Sequence, residues 1–413
     1  MAVQKSREAM LARAREFMAR VPFLDGHNDM PWVLRESAAR GDVAAYGLDR
    51  RHPETDTDLP RLREGQVAAQ VWAAFIPTSA PHPARTVLEQ IDIVRQANAR
   101  HSDILMAATR ADDVAEAHAS GRIASFLAIE GGVGLEGSLA PLRIWHAAGA
   151  RLMTLCHNET LDWVDSATDA PRVNGLSAFG RAVVRELNRL GMIIDCAHVA
   201  PSVMHQVLDI TRAPIVFSHS NARALCDHPR NVPDDVLDRV KANGGLVMAT
   251  FIPGFLSEPR RHWEKRFENE HGVFDMAALD VARREVATDP RAKVGIAMVA
   301  DHIEYIAGRC GVEHVGIGSD FFGEPLAVTE GLEDVSRFPW LFAELMTRGW
   351  SDEHLAGLAS GNFLRAFRKV EAVGSELAAT EAPCVGTLAS LDGPAAEDER
   401  EAARAGSREG QST

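Results

Sequence analysis

The chain has 413 residues, of which 46% are hydrophobic, and its 58 acidic residues outnumber 44 basic ones, for a formal net charge of −14. This composition excludes a disordered or fibrous chain, because enough apolar side chains are present to form a large core. The acidic balance argues against a nucleic-acid partner, whose phosphates would demand a clustered basic face. The length suits two or three average domains, but a single α/β barrel also commonly exceeds about 250 residues.

No feature of the sequence predicts a secretion signal or a membrane anchor. The first 23 residues carry charges throughout and lack the apolar stretch of a signal peptide. No apolar run reaches the roughly 18 residues of a spanning helix, and no hydrophobic C-terminal tail predicts a lipid anchor. The five cysteines are odd in number, widely spaced and without a CxxC pair, which argues against a disulfide framework or a thiolate zinc site. We therefore expect a reduced, cytoplasmic protein.

Eight short apolar runs predict eight β-strands. Most of them lack polar alternation, as is typical of parallel strands that are buried on both faces. The runs span residues 23–29, 67–76, 123–132, 151–159, 191–199, 214–220, 244–253 and 314–321.

Helical patterns lie between most of these runs, and they decide the fold class. The clearest are at residues 85–100, 176–190, 201–211 and 233–242. Strand and helix that alternate about eight times predict a parallel sheet, and eight units are what a closed (β/α)8 barrel needs. The alternative is an open doubly wound sheet, but no GxGxxG or GxxxxGK[ST] phosphate loop supports it.

We expect one barrel domain over residues 1–373, with two segments that a minimal barrel does not need. Residues 255–290 form a charged insertion between the seventh and eighth strands. A lid, a subunit contact and a solvated helical excursion are the alternatives for it. Residues 374–413 are rich in Ala, Glu, Gly and Ser, which predicts a mobile C-terminal tail.

Polar residues that can bind metal ions stand at the C-terminal ends of six of the eight predicted strands. This end of a barrel is where catalytic residues collect, so we expect these side chains to converge on one site. The residues are His27, Asp29, Glu130, His157, His198, His219 and Asp320.

Each of these residues alone has an ordinary explanation. His27 and Asp29 share one face of a strand and could hold one divalent ion, but His-x-Asp pairs are frequent by chance. A lone buried histidine usually satisfies hydrogen bonds in a core, and a carboxylate at a strand end often caps a turn. Glu130 is harder to explain in this way, because a carboxylate that ends an apolar run is expensive to bury without a cation or donors. The coincidence at six strand ends argues against chance.

The types of these residues predict the kind of metal site. Four histidines, two aspartates and one glutamate suit zinc or another borderline divalent ion. They are too many for one tetrahedral site. Two ions a few ångströms apart, bridged by Glu130 and by a hydroxide, would use them naturally.

Seven stretches of the sequence carry longer motifs around these residues. They are DGHNDMPW (25–32), IEGG (129–132), GLSAFGRAVVRELNRLGMIIDCAHVA (175–200), FSHSNARAL (217–225), HPRNVPDDVL (228–237), GIGSDF (316–321) and GNFLRAF (361–367). In these stretches the chain resembles the membrane (renal-type) dipeptidase family, peptidase family M19, of the amidohydrolase superfamily. The resemblance runs from about residue 23 to residue 371, nearly the whole chain apart from the predicted tail.

The resemblance implies two Zn²⁺ ions per chain, bridged by Glu130 and by a water or hydroxide. It implies that His27 and Asp29 complete the ligands of the first ion. His198 and His219 would complete those of the second ion, with Glu130 shared between the two.

The resemblance also implies three further roles at the site. His157 would contact the substrate and steady the tetrahedral intermediate. Arg230 would pair with the C-terminal carboxylate of a dipeptide, although without the resemblance a surface arginine before a helix is the simpler explanation. Asp320 would carry the proton from the bridging water to the leaving amine, and near the cations it should be ionised.

The function implied is that of a zinc-dependent dipeptidase that cleaves L,L dipeptides and tolerates a D-residue at the C-terminal position. The alternative is an amidohydrolase of the same fold that acts on another small amide, lactam or ester. Two departures from the family favour it: Phe322 stands where many relatives have a carboxylate, and Ile252 where some have a tyrosine. A catalytically inactive binding protein would lack a ligand or Asp320, and none is missing. We expect a dipeptide as the bound partner, and we expect neither a nucleic-acid partner nor a membrane anchor. A homodimer is a possible assembly of the protein.

Overall fold

The computed structural model describes residues 2–268, 276–322 and 328–393. Each of the eight predicted apolar runs contains a strand, and one short strand, β3, was not predicted. The strands are β1 (Phe23–Asn28), β2 (Val67–Phe75), β3 (Leu105–Ala107), β4 (Ile123–Glu130), β5 (Ala150–Thr154), β6 (Ile193–Asp195), β7 (Val216–Phe217), β8 (Leu246–Ala249) and β9 (Val315–Ile317).

Eight of these strands form a nearly closed parallel barrel. Their order is β1-β2-β4-β5-β6-β7-β8-β9, and every neighbouring pair is parallel. A parallel bridge between Asn28 and Phe321 joins the end of β1 to the segment after β9. This contact confirms the predicted (β/α)8 fold over the open sheet. Strand β3 only extends the first three residues of β4, and three residues are too few to show a periodic pattern.

Helices separate most of the barrel strands, and the four predicted helices are present as α5, α8, α9 and α10. The helices are α1 (Ala2–Met18), α2 (Met30–Glu36), α3 (Val43–Tyr46), α4 (Leu59–Glu64), α5 (Pro83–Arg100), α6 (Asp113–Ala119), α7 (Ala140–Ala147), α8 (Ala178–Leu190), α9 (Pro201–Ile210), α10 (Asp234–Asn243), α11 (Pro253–Leu256), α12 (Glu258–Glu264), α13 (Met276–Glu285), α14 (Ile296–Cys310), α15 (Phe338–Thr347), α16 (Asp352–Ala356), α17 (Asn362–Thr380) and α18 (Leu388–Asp392).

Helix α8 shows how local sequence sets these bounds. The side chain of Ser177 accepts a hydrogen bond from the backbone of Gly180 and so caps the first turn. Gly191 follows the last turn with φ 68°, a left-handed conformation that costs glycine little. Between the caps, Phe179, Val183 and Leu187 recur at helical spacing and are buried.

The barrel interior is filled at the N-terminal ends of the strands, which leaves the other end for a site. One apolar cluster joins residues near the starts of the strands, such as Leu24 and Leu152, to Phe363 and Phe367 of α17. Asn362, the first residue of α17, donates to the carbonyl of Val315, where β9 begins. Helix α17 therefore closes the barrel opposite the C-terminal strand ends.

The predicted insertion, residues 255–290, is mostly helical where the structure describes it, and residues 269–275 lie outside the described ranges. Helices α12 and α13 belong to it. Trp263, Phe267 and Leu279 pack together with two alanines in a small apolar cluster separate from the main core. The insertion is thus more than a solvated excursion, and a role as a lid or a subunit contact stays a prediction.

The segment predicted as a tail, residues 374–413, begins inside helix α17 and reaches α18 before residue 393. Leu377 is buried, and the carboxylate of Asp392 accepts a hydrogen bond from the hydroxyl of Ser177 at 2.7 Å. The folded part therefore extends beyond residue 373, because these residues pack on α8. Residues 394–413 lie outside the described ranges. Across those ranges, no helix combines the length and the apolar character needed to cross a membrane.

Candidate metal centre

The carboxylate of Glu130 lies at the centre of the predicted site. Its Oε2 atom is 3.2 Å from Nε2 of His27. Its Oε1 atom is 3.2 Å from Nε2 of His198 and 3.5 Å from Nε2 of His219. Glu130, the last residue of β4, thus turns one carboxylate oxygen to His27 and the other to His198 and His219.

The remaining carboxylates lie on the His27 side of Glu130. Nε2 of His27 is 3.6 Å from Oδ2 of Asp29 and 3.7 Å from Oδ1 of Asp320. Donor atoms that lie within 4.8 Å of one another form three groups that could hold an ion. These groups are His27 with Asp29 and Glu130, Glu130 with His157 and His198, and His27 with His219 and Asp320. The first group is the set predicted for one ion, whereas the second contains His157 in place of His219.

The donor atoms of this cluster fit a divalent cation. Both ring nitrogens of His27 and Oδ1 of Asp29 are buried without a hydrogen-bond partner in the described part of the chain, an arrangement that is costly unless a cation satisfies it. Nε2 of His198 and Nε2 of His219 lie only 2.9 Å apart. Imidazole nitrogens and carboxylate oxygens are ligands that zinc and similar ions accept.

Hydrogen bonds behind two of the histidines aim their Nε2 lone pairs into the cluster. Oδ1 of Asn158 lies 3.1 Å from Nδ1 of His198 and can accept its proton. The hydroxyl of Ser218 lies 2.7 Å from Nδ1 of His219 and donates to Oδ2 of Asp195 at 2.6 Å. Because that hydroxyl proton goes to Asp195, Ser218 must accept from Nδ1 of His219. Both imidazoles then carry their proton on Nδ1 and leave Nε2 free for a metal.

A second buried carboxylate, Asp25, ties β1 to the segment after β9 below the site. It accepts from the backbone N–H and the hydroxyl of Ser319, each at 2.7 Å, and from Gln70 at 3.0 Å. Burial raises the pKa of Asp25 to about 6, and the hydrogen bonds from Ser319 and Gln70 work in the other direction. Neither Asp25 nor Asp195 was predicted as a site residue from the sequence. Each places a carboxylate inside an apolar run, a signal similar to the one at the end of a run that identified Glu130.

Burial and mutual contacts set the protonation of the cluster. Burial lowers the pKa of His198 and of His219 well below the usual range, and it lowers the pKa of His157 to about 3, with Arg230 adding to each effect. These imidazoles are therefore neutral at physiological pH, the form that binds metal. Burial would also lower the pKa of His27, but the neighbouring carboxylates outweigh it and raise that pKa well above the usual value.

Asp320 carries the opposite shift, which bears on its predicted role. Burial raises the pKa of its carboxyl well above the usual value, His27 opposes this, and Asp29 and Glu130 add to it. The expectation that Asp320 is ionised therefore depends on cations that offset burial and the adjacent negative charges.

The backbone at the site adopts a conformation that non-glycine residues rarely take. His198, Asp320 and Phe322 have φ values of 68°, 65° and 71°. Such left-handed residues cluster at functional sites, where the surrounding structure holds the strain. No sequence pattern predicts these left-handed conformations. Gly131, directly after Glu130, has φ 104°, which explains why a glycine follows the central carboxylate.

Five residues of the predicted site, Asp29, Glu130, His157, His198 and Asp320, line a cavity of about 590 Å³, a size suited to a small ligand. Carboxylates dominate its charged wall, with Arg230 the single arginine or lysine among the described lining residues. The described lining residues are Asp29, Trp32, Val33, Pro53, Glu54, Thr55, Asp56, Phe75, Glu130, His157, Asn158, His198, Arg230, Phe255, Asp320, Phe322, Val328 and Glu333. Phe322, the first departure noted in the sequence, is on this wall, whereas Ile252 is buried elsewhere.

Arg230 lies in the cavity and not on the outer surface of a helix. Arg230 is 3% exposed, and its guanidinium stacks over the ring of Phe255 at 5.3 Å from the ring centre. Nη1 is buried without a hydrogen-bond partner, and no carboxylate of the described ranges forms an ion pair with Arg230. A buried, unpaired guanidinium is a site for an anion supplied from outside the chain.

Comparisons with known proteins agree with this geometry. The sequence profile of the family described as membrane dipeptidase (peptidase family M19) matches residues 11–381. The chain is 37% identical over 376 residues to dipeptidase 3 of Rattus norvegicus, which covers 89% of this chain and 68% of that protein. It is 36% identical over 384 residues to dipeptidase verJ of Clonostachys rogersoniana, covering 90% of this chain and 89% of that protein.

Solved structures show the same fold. The probable dipeptidase PvdM from Pseudomonas aeruginosa has a TM-score of 0.77 at 26% identity, covering 89% of this chain and 99% of that one. A metallopeptidase from Rhodobacter sphaeroides, solved with a phosphinate mimic of the dipeptide L-Ala-D-Ala, has a TM-score of 0.69 at 24% identity. That match covers 85% of this chain and 99% of the other.

Proposed function

The chain belongs to the membrane dipeptidase family and is a metal-dependent dipeptidase, and we propose that it works with two zinc ions in one centre. The observation that carries the proposal is the orientation of Glu130. One oxygen of this carboxylate is directed at His27, and the other is directed at His198 and His219. A carboxylate placed between two sets of ligands is what a bridged pair of ions requires.

The ligand set would be divided between the two ions. His27 and Asp29 would hold the first ion, His198 and His219 the second, and Glu130 both. Nitrogen and oxygen ligands of this kind favour zinc, although other borderline divalent ions accept the same set. When bound, the ions would lower the pKa of water and polarise the scissile carbonyl.

The other residues of the cavity would handle protons and substrate. Asp320 lines the cavity, and its Oδ1 is 3.7 Å from His27. It would take a proton from the attacking water and pass it to the leaving amine nitrogen. Neutral His157, also on the cavity wall, would donate its ring N–H to the carbonyl oxygen as charge develops there.

The charges of the cavity favour a dipeptide over an uncharged amide. Arg230 is buried and unpaired by any described carboxylate, so it can bind the C-terminal carboxylate of a substrate through its guanidinium fork. Glu54, Asp56 and Glu333 line the same cavity and favour a free N-terminal ammonium. We propose L,L dipeptides as substrates, with L,D dipeptides also accepted.

Hydrolysis of dipeptides by protein with and without metal tests this proposal. Protein stripped by a chelator should be inactive, and zinc should restore cleavage of L-Ala-L-Ala and L-Ala-D-Ala. The matched control is the C-terminal amide of each dipeptide, which should be cleaved far more slowly. If restored protein cleaves the amides or a lactam as well as it cleaves the dipeptides, another amidohydrolase activity takes the place of the dipeptidase.

We also propose a cellular location and an oligomeric state for the protein. All five cysteines are free, and four of them are buried, which supports a location in a reducing compartment such as the cytoplasm. We propose a homodimer as the assembly, with the insertion at residues 255–290 as the segment that would supply its contact.

A further inference from the structure

Three aromatic side chains form one part of the cavity wall. They are Trp32, Phe75 and Phe322, and we refer to them as the aromatic wall. The rings of Trp32 and Phe75 meet edge to face, with centres 5.1 Å apart. Phe322 follows β9, whose extension pairs with the end of β1, and Trp32 lies in α2 directly after β1. All three side chains are only half-buried, so apolar surface remains open to a ligand.

One end of the aromatic wall, Phe75, lies across the barrel from Arg230. Phe75 is the last residue of β2, and Arg230 belongs to the loop after β7. In the ring of eight strands, β2 is four places from β7 in either direction, whereas β1 and β9, which precede Trp32 and Phe322, are three and two places from it. The cluster around Glu130 is built from side chains at the ends of β1, β4, β6 and β7, so it lies between Phe75 and Arg230. A ligand that touches both sides therefore spans the cluster.

This opposition orients a dipeptide. With its C-terminal carboxylate at Arg230 and its scissile bond over the cluster, the N-terminal residue extends toward the aromatic wall. We propose that the aromatic wall binds the side chain of the N-terminal residue and selects dipeptides in which that residue is large and apolar. The inference rests on the proposed function, since it names the substrate class of the same site.

The charges near the wall strengthen the selection. Arg230 is the single arginine or lysine among the described lining residues, and in this account it is occupied by the C-terminal carboxylate of the substrate. Arg35 stacks on Trp32 at 5.4 Å but pairs with Glu89. An acidic N-terminal side chain would meet no free cation there and would face Asp56, which lines the cavity and accepts the N–H of Phe322. Acidic N-terminal residues should therefore be poor substrates.

The test compares kcat/KM across two dipeptide series for the full-length, zinc-loaded protein. One series varies the N-terminal residue (Gly-Ala, Leu-Ala, Phe-Ala, Asp-Ala), and the other varies the C-terminal residue (Ala-Gly, Ala-Leu, Ala-Phe). Wild type should prefer Leu-Ala and Phe-Ala over Gly-Ala and Asp-Ala by about 10-fold or more, the size expected for an apolar pocket. Phe322→Asp should abolish this preference, and Phe322→Leu should keep most of it. Neither variant should change the ranking of the C-terminal series.

Phe255→Leu is the matched control, because Phe255 is an aromatic residue of the same cavity on the Arg230 side. It should leave the N-terminal ranking intact. Zinc content and melting temperature of each variant report whether it is folded. Equal cleavage of Gly-Ala and Phe-Ala by wild type, or a uniform loss across the N-terminal series in Phe322→Asp, would overturn the inference. Failure of wild type to cleave any dipeptide would instead overturn the proposed function and this inference with it.

Discussion

The guanidinium of Arg230 lies over the aromatic ring of Phe255, 5.3 Å from the ring centre, and forms no ion pair within the described ranges. Stacking on an aromatic face stabilises a cation, but it does not satisfy buried N–H donors. Burial lowers the pKa of Arg230, yet an arginine remains charged at any physiological pH. The chain thus keeps a charged, incompletely bonded donor group beside the cluster around Glu130, and a substrate carboxylate would supply its missing partner.

Replacement of Arg230 should separate dipeptides from their amides. Arg230→Ala should lower kcat/KM for a dipeptide about 10-fold to 100-fold, because a charge-assisted hydrogen bond contributes roughly 1.5 to 3 kcal/mol. Arg230→Lys should recover only part of the lost kcat/KM, since an ammonium lacks the guanidinium fork that binds both carboxylate oxygens. The measurement is kcat/KM for one dipeptide and its C-terminal amide in each protein. A loss of the same factor on both substrates would mean that Arg230 does not bind the carboxylate.

Asp320→Asn should retain metal and lose turnover. Asparagine preserves the shape of the side chain and tolerates the φ of 65° at this position, so the fold should be unchanged. It cannot accept a proton, and general base catalysis is typically worth on the order of 10² to 10⁴ in rate. Metal analysis and kcat measured on the same preparation test this. Turnover near that of wild type would remove Asp320 from the proton transfer.

Ser218→Ala should weaken metal binding through His219. The hydroxyl of Ser218 fixes the proton of His219 on Nδ1, and loss of such a supporting bond typically costs about 10-fold to 100-fold in metal affinity. Ser220→Ala is the control on the other side of His219, because Ser220 is also buried but its hydroxyl has no partner in the described ranges. Competition with a zinc chelator gives both affinities. Equal affinities for the two variants would contradict the tautomer role of Ser218.

His302 should make the fold less stable in mild acid. It is buried and neutral, since it accepts the N–H of Ala222 on Nδ1 and donates to the carbonyl of Leu256 from Nε2. Burial lowers its pKa from 6.5 to about 4. Between these values the unfolded chain binds more protons than the folded one, so stability falls as pH falls.

The expected loss from His302 between pH 7 and pH 5 is about 2 kcal/mol in the free energy of unfolding. Urea titrations at both pH values, in wild type and His302→Gln, isolate this contribution. Other groups cancel in the comparison, including Asp25, whose pKa of about 6 acts in the opposite direction. If the variant loses as much stability as wild type, protonation of His302 is not the cause.

The barrel was predictable because its strands are buried on both faces and leave continuous apolar runs. Eight runs correspond to the eight strands of the nearly closed parallel barrel. Strand β3 was missed because its three residues carry no periodic signal. The tail was predicted to start at residue 374 because the amino-acid composition changes there. Composition cannot predict that Leu377 is buried or that Asp392 accepts a hydrogen bond from Ser177.

The cluster of histidines and carboxylates around Glu130 was predictable because each of its members stands at or just after the end of a strand. The residues behind them were not, since Ser218 and Asn158 are ordinary loop residues until the fold brings them to the Nδ1 atoms of His219 and His198. The burial of Arg230 over Phe255 also depends on a loop conformation that no local pattern specifies. Sequence identified the side chains that the fold brings together, and the fold determines how each of them is held.

The proposal of two ions bridged by Glu130 is tested most directly by a zinc titration of metal-free protein that follows bound metal and dipeptide hydrolysis together. The account predicts that binding saturates at two zinc ions per chain and that full activity requires both. Glu130→Gln should lower the affinity for both ions, because each oxygen of Glu130 is directed at a different set of histidines. Full activity with a single ion per chain would contradict the account.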